Sequence, residues 1–154
     1  MNIQKDFFMH TYLFLICNAS KALVYSTHEK YPQKPLSFVI EFEHPDSRKK
    51  RMDLVTDRPG HFQTSHAARS AYENHIDPKE READHFAKEI SLYLEEKLKK
   101  KAFDYLILVA SIQFFSLLKK HLSTHVANTI IRSIHKDHVH QSEPELRSIL
   151  NQRE

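Results

Sequence analysis

A chain of 154 residues that is 40% hydrophobic and 28% charged can bury a sizeable core, which excludes a disordered or fibrous polymer and fits one globular domain. Its net charge of +3 is below what a dedicated nucleic-acid binder carries, so clustering of charge decides more than the total. The single cysteine, Cys17, excludes an internal disulfide and fits a reducing compartment; inside an apolar run it reads as a buried, inert thiol.

Residues 1–10 read as a flexible amino-terminal extension. The apolar run Tyr12-Leu13-Phe14-Leu15-Ile16-Cys17 follows Lys5, but it is too short for an export signal, Asp6 offsets the charge, and Ile16 is too bulky for a lipoprotein cleavage site. It reads as a strand. No apolar run is long enough to span a bilayer, so the expectation is a cytoplasmic protein without membrane insertion.

Residues 12–18 and 21–27 are β-rich and flank Asn18-Ala19-Ser20, whose short polar side chains suit a tight hairpin. Pro32 and Pro35 punctuate a loop. Residues 36–43 form a third strand, with Phe38, Ile40 and Phe42 expected on one face and Ser37, Glu41 and Glu43 on the other. A basic segment follows, Arg48-Lys49-Lys50-Arg51, and then Asp57-Arg58-Pro59-Gly60. Gly60 is the chain's one glycine, and Pro59 before it predicts a type II turn that places Gly60 at positive φ and opens a polar stretch over 60–76.

Asp77-Pro78-Lys79-Glu80 has the spacing of a helix start, and the helix is expected to run to about residue 100. Ala83, Phe86, Ala87, Ile90, Tyr93, Leu94 and Leu98 form its buried stripe; the lysines near its end complement the dipole. The nearly continuous apolar run 103–110 predicts a strand covered on both faces, the candidate for the middle of the sheet. Ser111 caps a helix that turns Phe114, Phe115, Leu117, Leu118 and Leu122 inward. Residues 126–134 supply a last strand, and Ser142-Glu143-Pro144-Glu145 starts a terminal helix bearing Leu146, Ile149 and Leu150. The order β-β-β-α-β-α-β-α implies a single-domain α/β fold, a mixed five-stranded sheet with helices packed on it.

The stretches Cys17-Asn18-Ala19-Ser20-Lys21-Ala22-Leu23-Val24-Tyr25, His44-Pro45-Asp46-Ser47-Arg48, Asp57-Arg58-Pro59-Gly60 and Asp77-Pro78-Lys79-Glu80 resemble, in order and spacing, the bacterial host-attachment protein family. Phe86-Ala87-Lys88-Glu89-Ile90 and residues 105–110 continue the likeness, which covers nearly all of the chain from Tyr12 onward. That family is similar in fold to the middle domain of archaeal and eukaryotic peptide-chain release factors. The resemblance implies a ribonuclease-H-like fold and work on the ribosome, with ribosomal or transfer RNA or a protein of translation as partner. Release factors carry a Gly-Gly-Gln loop before the long helix. This chain has Gly60-His61-Phe62-Gln63 there, without the paired glycines that let a backbone approach an ester. Asn18 stands where the family commonly has Asp, Leu23 where Arg is common, and Ile112-Gln113 where prolines often open the helix.

The residues expected to bind RNA or a partner are Arg48, Lys49, Lys50, Arg51, Asp57, Arg58, Gly60, Gln63 and Arg69, the cations by neutralising phosphates. A solvated loop is the plain alternative. Among twelve histidines, His121 and His125 have the i, i+4 spacing of two ligands on one helix face, and His135, His138 and His140 lie close together. Such spacing is unspecific, and Asp46, Asp53 and Asp57 sit in a loop rather than on strands, so no metal, cofactor or catalytic residue is expected. The function expected is a non-catalytic, release-factor-like domain. A protein-interaction module affecting attachment to host cells, and a peptidyl-tRNA hydrolase with a remodelled Gln63 loop, are the alternatives.

Overall fold

The computed structural model describes residues 9–44 and 77–153. All nine expected binding residues, from Arg48 to Arg69, lie outside these, as do the glycine turn and residues 1–8. Five strands are present, β1 (Tyr12–Cys17), β2 (Lys21–Thr27), β3 (Ser37–Glu43), β4 (Tyr105–Ala110) and β5 (Ile130–Ile134). The helices are α1 (Pro78–Lys99), α2 (Ile112–His121), α3 (Thr124–Ala127) and α4 (Glu143–Leu150).

The sheet runs β3-β2-β1-β4-β5. β1 pairs antiparallel with β2 and parallel with β4; β3 is antiparallel to β2, and β5 parallel to β4. It is therefore a mixed sheet in which β2 alone runs against the other four. The strand at 103–110 is interior, as its apolar run requires, but the middle position belongs to β1. Length and hydrophobicity cannot separate two strands that are both covered on both faces.

Alternation along these two strands builds the core. Leu13, Leu15 and Cys17 of β1 and Leu106, Leu108 and Ala110 of β4 meet Phe86, Ile90 and Leu94 of α1, Phe114 and Leu118 of α2 and Val126 of α3 on one face. Phe14, Ile16, Ile107 and Val109 meet Leu146 and Leu150 of α4, with Leu36 and Val139, on the other. Cys17 is fully buried, and burial, with Asp137 next in effect, pushes its thiol far up from the ordinary range, so it is protonated and inert.

The first hairpin closes as an Asx turn. Asn18 Oδ1 accepts the amides of Ser20 and Lys21 at 2.8 and 2.9 Å, while the Asn18 amide donates to the Lys21 carbonyl at 2.9 Å. β3 departs from simple alternation. Val24 faces Ile40 but Tyr25 faces Phe38, so Val39 is an extra residue in the ladder. Ile40 and Phe42 consequently pack toward α1, whereas Phe38 turns to the opposite face beside Tyr25, ring centroids 5.7 Å apart. A period-two reading has no means of seeing that bulge.

The third apolar segment of the carboxyl half also divides. Residues 124–127 form the short helix α3, capped by Ser123, and the strand begins only at Ile130. Helix α4 is held by a capping box between Ser142 and Glu145 and by the 28–36 loop. The Leu36 amide donates to Glu143 Oε2 at 2.8 Å, Asn151 donates to the Pro32 carbonyl, and Gln33 Nε2 reaches Asn151 Oδ1 at 2.9 Å.

Helix α1 ends in a Schellman motif without glycine. The Lys101 amide donates to Leu98 O and the Ala102 amide to Lys97 O, each at 2.9 Å, with Lys101 at φ 57°, the one positive φ among the described non-glycine residues. Relief of this left-handed cost, less the extra chain entropy of glycine, makes Lys101→Gly stabilising by about 0.5 to 1 kcal/mol, read as a raised urea midpoint. Ile107 is wholly buried in the second core layer, so Ile107→Ala should cost about 2 to 5 kcal/mol in denaturant unfolding. An unchanged midpoint would contradict this packing.

Candidate functional site

The carboxyl ends of the parallel pair β1 and β4 open onto a cleft of about 500 Å³. Ligands of open α/β sheets bind outside the carboxyl ends of parallel strands. Ala19, Ala83, Phe114 and Leu117 make its apolar lining, and Asp77, Lys79, Glu80, Ser111 and Gln113 its polar one. Two helices begin at its margin. Asp77 caps α1 by accepting the Lys79 amide at 3.3 Å, and Ser111 caps α2 by accepting the Phe114 amide at 3.4 Å. Both amino termini bring partial positive charge to the same opening, where the carboxylates of Asp77 and Glu80 offset it.

The segment 45–76 joins the described fold at this place. Before it, the His44 amide donates to Ser20 O at 2.7 Å, and the His44 ring lies 5.1 Å from that of Phe86. His44 Nε2 is 3.7 Å from Glu82 Oε2, both side chains being more than four-fifths buried. After it, Asp77 caps α1. Both junctions are thus fastened to the amino-terminal half of that helix. Beyond β1, Asn18 Nδ2 donates to Asp137 Oδ2 at 3.0 Å, which ties the first turn to the loop after β5.

The histidines distribute differently from their spacing. His121 ends α2 and His125 lies in α3, with the break at Leu122 and Ser123, so the pair does not share one helix face. His121 Nε2 instead lies 2.9 Å from Asp84 Oδ1 of α1. His135 packs against Phe115 with ring centroids 4.6 Å apart. Among the described residues no three His, Cys, Asp or Glu side chains are grouped to hold a metal ion. Asp46, Asp53 and Asp57 lie outside those residues. Sequence reading did not find the His121–Asp84 and His44–Glu82 pairs, because partners separated in sequence by 37 or more residues leave no local periodicity.

A small α/β domain with a strand-end cleft bordered by two helix starts is what this geometry defines. The chain belongs to the family described as "Protein required for attachment to host cells", whose model matches residues 13–150. Among solved structures, one described as an archaeal protein is similar over 92% of this chain and 36% of its own length, at 9% identity and a TM-score of 0.45. The chain thus spans little more than a third of that protein. No curated protein matches the sequence. Among the described residues, no helix is long and apolar enough to cross a membrane.

The hydrogen bond from His121 holds the Asp84 carboxyl below its ordinary range, aided by the charges of His121, Lys120 and His85. A carboxyl with a depressed folded pKa stabilises above its unfolded value, near pH 4, and that contribution disappears as pH falls through the lower folded value. Asp84→Asn should therefore lower stability at pH 6 by no more than about 1 kcal/mol, as suits a partly exposed pair, and the difference from wild type should vanish toward pH 2. Urea midpoints across that range measure it. A difference that persists unchanged to pH 2 would show that Asp84 acts through packing.

Proposed function

We propose that this member of the host-attachment family is a cytoplasmic, release-factor-like binding domain that engages ribosomal or transfer RNA, or a translation partner, without chemistry of its own. The observation that carries the reading is the cleft at the ends of β1 and β4, bordered by the starts of α1 and α2, beside which both ends of the basic 45–76 segment are fastened. The side-chain oxygens of Asn18, Asp77 and Ser111 around it accept backbone amides, a structural employment. A sheet order of β3-β2-β1-β4-β5 with β2 reversed supports the ribonuclease-H-like reading.

The phosphate contacts in this proposal come from Arg48, Lys49, Lys50, Arg51, Arg58 and Arg69 in the segment joining His44 to Asp77, with Asp57, Gly60 and Gln63 shaping the approach. Each cation that neutralises a phosphate releases counterions, so affinity falls linearly with salt on a double-logarithmic scale.

Replacing Arg48, Lys49 and Arg51 together by alanine should weaken RNA binding with little sequence preference and reduce the salt slope by about 2 to 3 units, close to one for each lost contact. Folding stability should barely change. Equal affinity of wild type and variant throughout the salt series would favour the second reading, a protein-interaction module affecting attachment with no RNA role. That reading is supported by the adjacent exposed residues Phe38 and Val39 on the edge strand β3.

A further inference from the structure

Apart from the cleft, three cations gather on one aromatic ring. Lys30 Nζ lies 5.5 Å from the centroid of the Tyr31 ring, Arg132 Cζ 5.1 Å and Arg153 Cζ 4.1 Å. Lys30 and Tyr31 come from the loop after β2, Arg132 from the edge strand β5, and Arg153 from the residues after α4. They meet because the 28–36 loop crosses the second face of the sheet to bond with α4. Arg132 is fixed in place, its guanidinium donating to the carbonyls of Leu150 and Gln152.

Cations on an aromatic face are individually favourable, but three positive charges around one ring repel one another. Among the described residues none of the three has a carboxylate partner. The neighbouring carboxylate, Glu29, accepts the Gln33 amide at 3.1 Å. Beside the cluster lies a pocket of about 360 Å³ lined by Lys30, Tyr31, Ile131, Arg132 and Ser133. The lysine ammonium and the Arg132 N–H groups not bonded to Leu150 and Gln152 offer hydrogens there. Such a set of donors suits a tetrahedral oxyanion, and a phosphoryl group carrying nearly two negative charges balances three cations better than a carboxylate with one.

We infer that this pocket binds a phosphomonoester, with Lys30 and Arg132 at its wall neutralising the phosphoryl oxygens and Arg153 adding its charge from beside the Tyr31 ring. The site is independent of the RNA contacts proposed for residues 45–76, and inorganic phosphate and a nucleoside 5′-monophosphate are the two sources of the same chemistry. Titration of the full chain with inorganic phosphate, uridine 5′-monophosphate and uridine, followed by calorimetry and by the arginine side-chain resonances, tests it. Both phosphates should bind at constant ionic strength and uridine should not. Tighter binding of the monophosphate than of inorganic phosphate would identify the nucleotide as the source, and equal binding the phosphoryl group alone.

Lys30→Ala combined with Arg153→Ala should weaken phosphate binding at least tenfold with a nearly unchanged urea midpoint, since among the described residues neither side chain has a hydrogen bond or ion pair. Lys99→Ala with Lys100→Ala, which removes the same charge elsewhere, should leave binding intact. Arg48, Lys49 and Arg51 changed to alanine should also leave it intact, which separates this site from the RNA reading. Phosphate responses no larger than those to chloride at equal ionic strength, or equal losses in the two double variants, would overturn the inference.

Discussion

The pairing of β1 with β4 is the constraint on which the other elements depend. From Leu13 to Cys17 and from Leu106 to Ala110 every residue is buried, and side chains alternate between two separate core layers. A parallel pair of this kind cannot leave either face to water, because each face carries fully apolar side chains worth about 1.5 to 3 kcal/mol apiece on burial. Helices α1 and α2, with α3, must therefore cover one side. The other is left to an eight-residue helix, too short for the task without help. The 28–36 loop supplies that help through Leu36, Gln33 and Pro32. The carboxyl ends of the two strands are where the covering elements change direction, and the cleft opens there for that reason.

The parts of the fold that were legible from sequence are those whose signal is local. Asn18-Ala19-Ser20 named its own turn, Asp77-Pro78 marked the start of α1, and the period of Ala83, Phe86, Ala87, Ile90 and Leu94 identified its buried side. Features set by tertiary register were hidden. The extra residue Val39 reverses the side taken by Phe38, and the break at Leu122 and Ser123 separates two histidines that the spacing puts together. The family was legible because its order of short motifs runs through most of the chain, and the match over 13–150 agrees with it. The expected binding residues occupy 45–76, outside the described fold, so the structure speaks only to where that segment is joined.

The two surfaces draw positive character from different physics. At the cleft it is only the partial charge of backbone amides at two helix starts, set beside the carboxylates of Asp77 and Glu80. Around Tyr31 it comes from whole charges on flexible side chains delivered by three distant parts of the chain. Assembly of the second depends on the docking of α4, since Arg132 is oriented by the carbonyls following that helix. Loosening α4 would disperse the cluster while leaving the cleft in place.

The bulge at Val39 reaches beyond the packing of Phe38. A marginal strand presents a row of amides and carbonyls on which another polypeptide can template itself, and β3 adds exposed Phe38 and Val39 to that hazard. The skipped residue interrupts the regular ladder and increases local twist, while Glu41 is held in an ion pair with Lys21 at 3.7 Å. Identical copies brought edge to edge would meet mismatched spacing. The irregularity that spoils a simple reading of this strand is thus of the kind by which edge strands are made poor templates for an intermolecular sheet.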